Sequence, residues 1–251
     1  MRAEGLTPEE LERYDRQLRI RGLGVEGQLK LRRAEVAVVG VGGLGCPAAL
    51  YLAAAGVGHL RLIDHGLVEP SNLNRQVLYR PEDVGRPKAE VAAERLRELN
   101  PHVEVEPVPQ TLDEHNAHEL LGGADVVVDG LDNWRTRFIV NRTCVELGVP
   151  YVHAGVRGLY GQVTTILPGR GPCLRCLVKA TPVEEGALPI LGATCAILAG
   201  LEALEAVKLI TGLGKPLVGR LLIFDGLEMK LEEVMVRRDA FCPVCGASSK
   251  R

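Results

Sequence analysis

Three glycines have the spacing of a phosphate-binding turn. Gly40, Gly42 and Gly45 fit the pattern G-x-G-x-x-G and follow an apolar run over Glu35–Val39. Glycine permits a tight turn and lets backbone N–H groups approach a phosphate at a helix N-terminus, where the helix dipole favours anions. Asp64 ends a second apolar run, 19 residues after Gly45, about where such sites place a carboxylate for a ribose. The spacing predicts a nucleotide site; the alternatives are glycines that only ease helix–strand packing and a solvated turn aspartate.

Residues further along the chain bear on which nucleotide binds. The same glycine pattern serves nicotinamide-dependent oxidoreductases, whose cofactor is a pyrophosphate diester. Asn74, Arg75 and Lys88 together would bring more positive charge than a diester needs, which favours a triphosphate. Asp132 and Asn133 follow a later apolar run, at the sheet edge where ligands bind, and Mg²⁺ prefers one or two carboxylates with phosphate oxygens. Each residue alone is typical of a solvated surface, so the prediction depends on their convergence.

Four of the seven cysteines form two close pairs. Cys173 with Cys176, and Cys242 with Cys245, are C-x-x-C pairs separated by 65 residues. Two such pairs supply the four thiolates of a closed structural zinc site, which would tie the C-terminal segment to the domain. The alternatives are a redox-active pair and a nucleic-acid-binding zinc finger; the long separation and the net charge of −2 disfavour the finger.

The other three cysteines are interpreted as packed residues. Cys46 begins a predicted helix beside the glycine loop, where the pKa of a thiol can fall, but a small packed side chain is favoured. Cys144 lies on an apolar helix and has the same interpretation. Cys195 lies inside a predicted buried helix and is assigned to the core rather than to nucleophilic chemistry.

The elements that must position these residues alternate between strand and helix. Strands are predicted at 35–39, 60–63, 103–108, 124–128 and 151–153, and helices at 47–55, 88–99 and 133–147. Thr7 and Glu10 fit a capping box, so an earlier helix is expected to continue through Leu18. After residue 155 the pattern predicts an antiparallel strand at 159–167, a long helix at 191–210 and a hairpin of 220–224 with 229–236 across Asp225-Gly226. The chain is therefore expected to be α/β, with a Rossmann-like mixed, mainly parallel sheet and an antiparallel C-terminal part.

Length and composition fit a single soluble domain over residues 1–251, with 46% hydrophobic and 25% charged residues. We divide it into N-terminal helices at 1–34, a nucleotide-binding half at 35–155 and a mixed C-terminal half with zinc knuckles at 156–251. The net charge of −2 disfavours a nucleic-acid partner, because neutralising phosphates needs clustered Lys and Arg. Residues 1–20 contain no signal-peptide run, and the longest uncharged stretch, 186–201, is too short to span a bilayer. We expect a cytoplasmic protein without a membrane partner.

At these positions the chain resembles the MoeB/ThiF family (also called HesA/MoeB/ThiF), bacterial relatives of ubiquitin-activating enzymes. The matching segments are 13–17, 40–46, Asp64, 71–76, 84–88 and 132–133, and the likeness continues through both cysteine pairs. It therefore covers nearly the whole chain. The resemblance implies an adenylyltransferase that uses ATP and Mg²⁺ to adenylate the C-terminal glycine carboxylate of a small ubiquitin-like β-grasp sulfur-carrier protein of the MoaD/ThiS type. Pyrophosphate would leave, and the product would serve sulfur transfer in molybdopterin, thiamin or tRNA-thiolation pathways.

The resemblance also assigns residues to the nucleotide site. The nucleotide-binding residues it implies are Gly40, Gly42, Gly43, Gly45, Asp64, Ser71, Asn72, Asn74, Arg75, Lys88, Asp132 and Asn133. The catalytic residues it implies are Arg16, Arg75, Lys88 and Asp132. Arg75 and Lys88 would neutralise phosphates, Asp132 would hold Mg²⁺ and Asp64 would bind the ribose.

Two features of the resemblance leave questions open. In these relatives the segment with Arg16 reaches the partner's active site in a homodimer, so Arg16 is expected to act in trans; the alternative is a surface ion pair. Many members also carry a cysteine between the first C-x-x-C pair and the long helix, which takes a thioester or persulfide link. Here 177–194 contains none, which leaves adenylation intact but puts that later step in doubt.

Three alternative functions remain. A nicotinamide-dependent oxidoreductase would use the same glycine pattern but does not need Arg75, Lys88 and Asp132. A non-catalytic zinc scaffold would use the fold for protein binding alone. A relative that adenylates a tRNA-linked carboxylate would favour a basic face, which the sequence does not indicate.

Overall fold

The N-terminal region consists of short helices, the first of which begins with the predicted capping box. The computed structural model describes residues 5–182, 186 and 188–246, so parts of 1–34, 177–194 and the last five positions lie outside the described residues. The helices are α1 (Pro8–Arg13), α2 (Asp15–Leu18) and α3 (Gly24–Arg33). Thr7 Oγ1 accepts from Glu10 N at 3.2 Å, and Glu10 Oε2 accepts from Thr7 N at 2.8 Å. The predicted continuous helix to Leu18 is wrong at Tyr14, whose backbone leaves the helical region while its side chain is buried.

The nucleotide-binding half is a parallel sheet between helices, as predicted. Its elements are β1 (Glu35–Val39), α4 (Gly45–Ala55), β2 (His59–Ile63), α5 (Lys88–Leu99), β3 (Glu104–Val108), α6 (Ala117–Leu121), β4 (Val126–Asp129), α7 (Trp134–Leu147) and β5 (Tyr151–Arg157). The strands β3-β2-β1-β4-β5 are adjacent and parallel in that order. Strands buried on both faces are mostly apolar, which is why β1 and β4 are recognisable as short valine-rich runs, although β4 ends in the buried Asp129.

The C-terminal half extends the same sheet with antiparallel strands. Its elements are β6 (Tyr160–Ile166), α8 (Leu174–Leu177), α9 (Gly192–Thr211), β7 (Arg220–Asp225) and β8 (Lys230–Met235), and the sheet ends β5-β6-β7-β8. The predicted hairpin is present, but its turn is longer than an Asp-Gly pair. Asp225 pairs with Lys230, leaving a four-residue loop at 226–229 in which Met229 has φ +53°. Asp225 Oδ1 stabilises this loop by accepting from the backbone N of Leu227 at 2.9 Å.

Two apolar layers cover the sheet. Residues of α4, α5 and α9 pack on one face, and residues of α6 and α7 pack on the other together with the four paired cysteines. Helix α9 lies against β4, β5 and β6 and also packs on α4. Within the described residues, we find no helix long and apolar enough to cross a membrane.

Candidate nucleotide site and metal centre

The sheet changes its direction of connection between β1 and β4. From β1 the chain adds β2 and β3 toward one edge of the sheet, whereas from β4 it adds β5 toward the other edge. The loops that follow the neighbouring strands β1 and β4 therefore lead to helices on opposite faces of the sheet. In open α/β sheets a ligand crevice forms outside the carboxyl ends of the strands at such a point. The glycine loop follows β1, and the loop with Asp132 follows β4. The topology therefore brings together two segments that the sequence separates by some 90 positions.

At this point the backbones of Gly40, Gly45 and Gly130 come too close together to leave room for a side chain on Gly45 or Gly130. A Cβ on Gly45 would lie 1.9 Å from Gly40 O, and one on Gly130 would lie 2.0 Å from the same atom. Gly40 itself has φ +86°, a conformation that favours glycine. Gly130 is a site residue that sequence reasoning missed; its only signal is an aspartate–glycine step after an apolar strand. Gly42 is less crowded, because a Cβ there would have its nearest neighbours at 3.8 Å, so its role differs from that of Gly40 and Gly45.

Asp64 holds the glycine loop through both carboxylate oxygens. Oδ2 accepts from Val41 N at 2.7 Å, and Oδ1 accepts from Gly66 N at 2.7 Å. Each oxygen keeps a further lone pair, so binding of ribose hydroxyls by Asp64 stays a prediction. Lys88 begins α5, and its Nζ lies on the same side, because a Cβ on Gly66 would be 3.0 Å from Asp64 Oδ1 and 3.5 Å from Lys88 Nζ.

The segment after β2 places Arg75 against the loop. The Arg75 guanidinium donates to Ser71 O at 2.7 Å and to Asn74 Oδ1 at 3.1 Å. Its side-chain carbons lie 3.5 and 3.6 Å from the position that a Cβ on Gly43 would take. Ser71 and Asn74 are exposed beside it. The predicted phosphate-binding arginine therefore lies beside the glycine loop.

Two predicted ligands also have structural uses. Asn72 is buried, and its Oδ1 accepts from Glu69 N at 3.0 Å at the start of a short 3-10 turn. Asn133 caps α7, where its Oδ1 accepts from Thr136 N at 2.8 Å. Asp132 is exposed before this cap, with Asn133 Nδ2 3.5 Å from its Oδ1. Of these three residues only Asp132 has a carboxylate, and its exposed side chain is accessible to a cation.

A buried ionic cluster lies directly before the Asp132 loop. Asp129, the last residue of β4, is fully buried and accepts from Arg137 Nε at 3.1 Å and from Tyr151 Oη at 2.5 Å; His153 Nδ1 is also 2.5 Å from its Oδ2. Burial alone would raise the pKa of the Asp129 carboxyl, but Arg137 and His153 lower it below its ordinary value. Asp129 Oδ1 also accepts from Leu131 N at 2.9 Å, so the cluster fixes the loop that carries Asp132.

Arg16 lies outside this convergence. It is on α2, its side chain is 94% exposed, and among the described residues its ion-pair partner is the adjacent Asp15, with Nε to Oδ2 at 4.0 Å. The neighbouring Gln17 donates to Ala55 O at 2.8 Å, which places α2 at the C-terminal end of α4, whereas the glycine loop lies at the N-terminal end of that helix. The surface ion pair with Asp15 is thus present in the single chain, and the action in trans remains a prediction.

The four paired cysteines form one buried cluster. Their Sγ atoms all lie within 4.8 Å of one another, with Cys173 to Cys242 at 3.6 Å and Cys176 to Cys245 at 3.4 Å. Four sulfurs at about 2.3 Å from a central zinc would be about 3.8 Å apart in a tetrahedron. The donor set therefore fits a structural zinc ion, and the cluster joins α8 to the segment after β8.

The remaining cysteines are buried, which agrees with the packed interpretation. Burial raises the pKa of the Cys46 thiol to about 12 and also raises that of Cys144. Burial raises the pKa of Cys195 to about 11, although Arg75 acts in the opposite direction. The location of Cys195 was not expected, because its Sγ is 3.1 Å from a Cβ position on Gly43. The long helix thus begins against the nucleotide site.

These features define a class before any relative is considered. The sheet is doubly wound, with a glycine loop at its switch point and two basic residues and a carboxylate on neighbouring loops. Together with four cysteines positioned to hold a metal, this arrangement is typical of a nucleotide-binding α/β domain. The profile of the ThiF family matches residues 14–244. The chain belongs to the ThiF family, which confirms the resemblance seen in the sequence.

Similar proteins carry names from the same family. The chain is 47% identical to the sulfur carrier protein adenylyltransferase of Thermus thermophilus, covering 96% of this chain and 92% of that protein. It is 46% identical to the SAMP-activating enzyme E1 of Haloferax volcanii, over 96% of this chain and 91% of the relative. Among solved structures, Escherichia coli MccB with MccA-N7isoASN has a TM-score of 0.86 and 27% identity, covering 94% of this chain and 74% of that chain. The Rossmann-like fold prediction is confirmed.

Proposed function

We propose that this protein adenylates the C-terminal glycine carboxylate of a small ubiquitin-like sulfur-carrier protein, using ATP and releasing pyrophosphate. One observation carries the proposal. Arg75 lies beside the glycine loop, Lys88 lies beside Asp64, which accepts from that loop, and the exposed carboxylate of Asp132 is on the loop that follows β4. The names of the two relatives above, at 47% and 46% identity, support the same reaction class.

The reaction suits this set of side chains. A carboxylate oxygen of the carrier tail attacks the α-phosphorus of ATP, the bond from that phosphorus to the bridging oxygen breaks, and pyrophosphate leaves with the electron pair. Because both reactants are anionic, the barrier is lowered mainly by positioning and by offsetting charge. Arg75 and Lys88 supply the positive charge, and the backbone N–H groups of the glycine loop face the phosphates.

Two metals belong to this proposal. Asp132 would hold Mg²⁺, an ion that supplies further charge neutralisation on phosphate oxygens when bound. Cys173, Cys176, Cys242 and Cys245 would hold Zn²⁺ in a closed structural site, supported by their separations. We also keep the cytoplasm as the proposed location, because reduced thiolates are needed for this site.

A homodimer with Arg16 acting in trans completes the proposal. The outer face of α4 and α9 exposes large apolar side chains, with Tyr51, Ile197 and Leu204 at 57%, 40% and 54% exposure. Exposed large apolar side chains on two helices that pack together are typical of a protein interface. The exposed guanidinium of Arg16 on α2 is available to a second chain.

ATP–pyrophosphate exchange tests the reaction directly. With the β-grasp carriers of the source organism, the wild-type chain should catalyse exchange, and Asp132→Ala or Lys88→Ala should lower the rate at least about 100-fold. Arg142→Ala is the control, because Arg142 is exposed on α7 and pairs with Glu114. Absence of exchange with every carrier, together with NADH binding, would favour the oxidoreductase alternative. Co-purification of each carrier in the presence of ATP would identify the physiological substrate.

Mixing inactive chains tests Arg16. In a mixture of Arg16→Ala and Asp132→Ala chains, a mixed dimer would have one site with both residues intact if Arg16 acts in trans. Random pairing then gives about a quarter of the wild-type activity. If Arg16 acts within its own chain, or not at all, the mixture gains no activity over the separate variants.

A further inference from the structure

A buried tyrosine connects the two phosphate-binding elements. Tyr79 is 6% exposed, and its hydroxyl donates to Val41 O, in the middle of the glycine loop, at 2.7 Å. The same hydroxyl lies 3.4 Å from the carbonyl oxygen of Lys88, the first residue of α5. Neither the glycine pattern nor the basic residues draws attention to Tyr79 in the sequence.

The orientation of one peptide plane gives this contact its significance. The C=O of Val41 and the N–H of Gly42 belong to a single planar peptide group and point in opposite directions. A donor that holds Val41 O on the buried side therefore directs the Gly42 N–H away from the core. Within the described part of the chain, the Gly42 N–H has no acceptor. The preceding peptide is held separately, because Asp64 accepts from Val41 N.

The Tyr79 hydroxyl keeps its proton, and so remains a hydrogen-bond donor, at neutral and moderately alkaline pH. Burial raises the pKa of its phenol far above the ordinary value, and the nearby Cys46 and Asp64 raise it further. Cys46 is a second, weaker donor, with Sγ 3.2 Å from the same Val41 O. The loop carbonyl thus has one strong and one weak buried donor.

We propose that Tyr79 is a positioning residue for ATP, whose hydroxyl aims the Gly42 N–H at the phosphates and couples the glycine loop to the lysine end of α5. This inference rests on the proposed function, since it assumes that ATP occupies the loop. Tyr79 does not touch the reacting atoms. Its effect passes through the Val41–Gly42 peptide plane.

Tyr79→Phe removes only the hydroxyl and is the central test. We expect the KM for ATP in pyrophosphate exchange to rise about 5- to 10-fold, the loss of one buried hydrogen bond, with kcat changed less than about 3-fold. Calorimetric titration of ATP should give the same fold-change in Kd. Cys46→Ala should have a smaller effect, and the double variant should exceed the product of the two, because Val41 O then has no donor.

Tyr14→Phe is the matched control. Tyr14 is equally buried, and its hydroxyl accepts from Asn100 Nδ2 at 2.9 Å, beside Gly56 at the far end of α4. Both variants lose one buried hydrogen bond and should lower Tm alike, but only Tyr79→Phe should change the KM for ATP. A fall in Tm with unchanged ATP affinity in Tyr79→Phe would overturn the inference alone. A wild-type chain that binds no ATP in calorimetry would overturn the proposed function and this inference with it.

Discussion

The two halves of the sheet differ in where their strands meet solvent. In the nucleotide-binding half β4 is buried along its whole length, whereas all six residues of β8 in the C-terminal half are exposed. A parallel strand covered on both faces can offer a ligand only its ends, but an uncovered edge strand offers side chains along its length. Under the proposed function, ATP binding in the first half would therefore depend on backbone geometry at strand ends. The second half instead presents a surface, with Met229, Leu231 and Met235 exposed on the hairpin.

Adding a methyl group at Gly130, directly after β4, should have the largest effect on stability and on ATP binding. Gly130→Ala would place a Cβ 2.0 Å from Gly40 O, so β1 and β4 would have to separate at the switch point. We expect a loss of about 3 kcal/mol or more in the free energy of unfolding, and no measurable ATP binding. Urea denaturation and calorimetry measure the two quantities.

The control for this change is a glycine of the C-terminal half. Gly200 in α9 has open space around its Cβ position within one chain, so Gly200→Ala should stabilise the monomer by about 0.5–1 kcal/mol through helix propensity, although the position lies between Ile197 and Leu204 of the proposed interface. If Gly130→Ala were as mild as Gly200→Ala, the dependence of the first half on close backbone contact would be disproved.

Metal removal should have the next largest effect and should act on the C-terminal half. Loss of zinc by chelation, or by Cys242→Ser, would release the segment after β8 and cost on the order of 3 kcal/mol. That corresponds to a fall of roughly 6–12 °C in Tm for a chain of this size. Elemental analysis should find one zinc per wild-type chain, and thermal scans give the Tm.

Measuring ATP affinity after zinc removal tests whether the two halves of the sheet are independent. Below its new Tm, the zinc-free protein with Mg²⁺ restored should bind ATP within about 2-fold of the wild type, because the four cysteines belong to α8 and the segment after β8 and not to the loops at the switch point. Cys144→Ser, at a buried cysteine outside the cluster, should keep its zinc. A folded, zinc-free chain without ATP binding would show that the two halves are not independent.

The smallest effect concerns a buried acid to which the described residues offer no hydrogen-bond partner. Glu202 on α9 is fully buried, and neither of its carboxylate oxygens has a hydrogen-bond partner in the described part of the chain, whereas Asp129 has several. Burial raises the pKa of Glu202 well above its ordinary value, so the folded chain retains a proton that the unfolded chain releases. Stability from this group is complete below about pH 4.3 and is lost as the pH rises toward the folded pKa. Glu202→Gln should therefore stabilise the chain by about 1 kcal/mol at pH 8 and by nothing at pH 4.

Glu205, one turn further along α9, is the matched control. Its Oε2 accepts from Thr165 Oγ1 at 2.5 Å and from Leu217 N at 2.6 Å, and Lys208 pairs with Oε1. Glu205→Gln should therefore destabilise the chain at pH 8. Stabilisation by both variants, or a Glu202→Gln effect of equal size at pH 4 and pH 8, would contradict the assignment. Parallel urea titrations at the two pH values measure all four differences.

The sequence predicts local features well and contacts across the sheet poorly. Helix α5 has its predicted bounds, Lys88–Leu99, because Pro87 and Asn100-Pro101 mark its ends within the chain itself. The four-cysteine cluster could also be predicted from the sequence, because metal ligation constrains residue type and spacing. Gly130 and the Asp129 cluster were missed, because their significance comes from neighbours on other strands. The roles of the predicted nucleotide ligands stay predictions, and their convergence is what the fold adds.

The order of the cysteines along the chain has a consequence during synthesis. Cys242 follows Cys176 by 66 positions, so at roughly 5–20 residues per second the second pair leaves the ribosome about 3–13 s after the first. Throughout that interval residues 35–155 have already been synthesised, while Cys173 and Cys176 offer only two thiolates. Any pairing of β1 to β5 in that time forms without the metal, and a stalled ribosome would leave two unpaired thiolates exposed to oxidation.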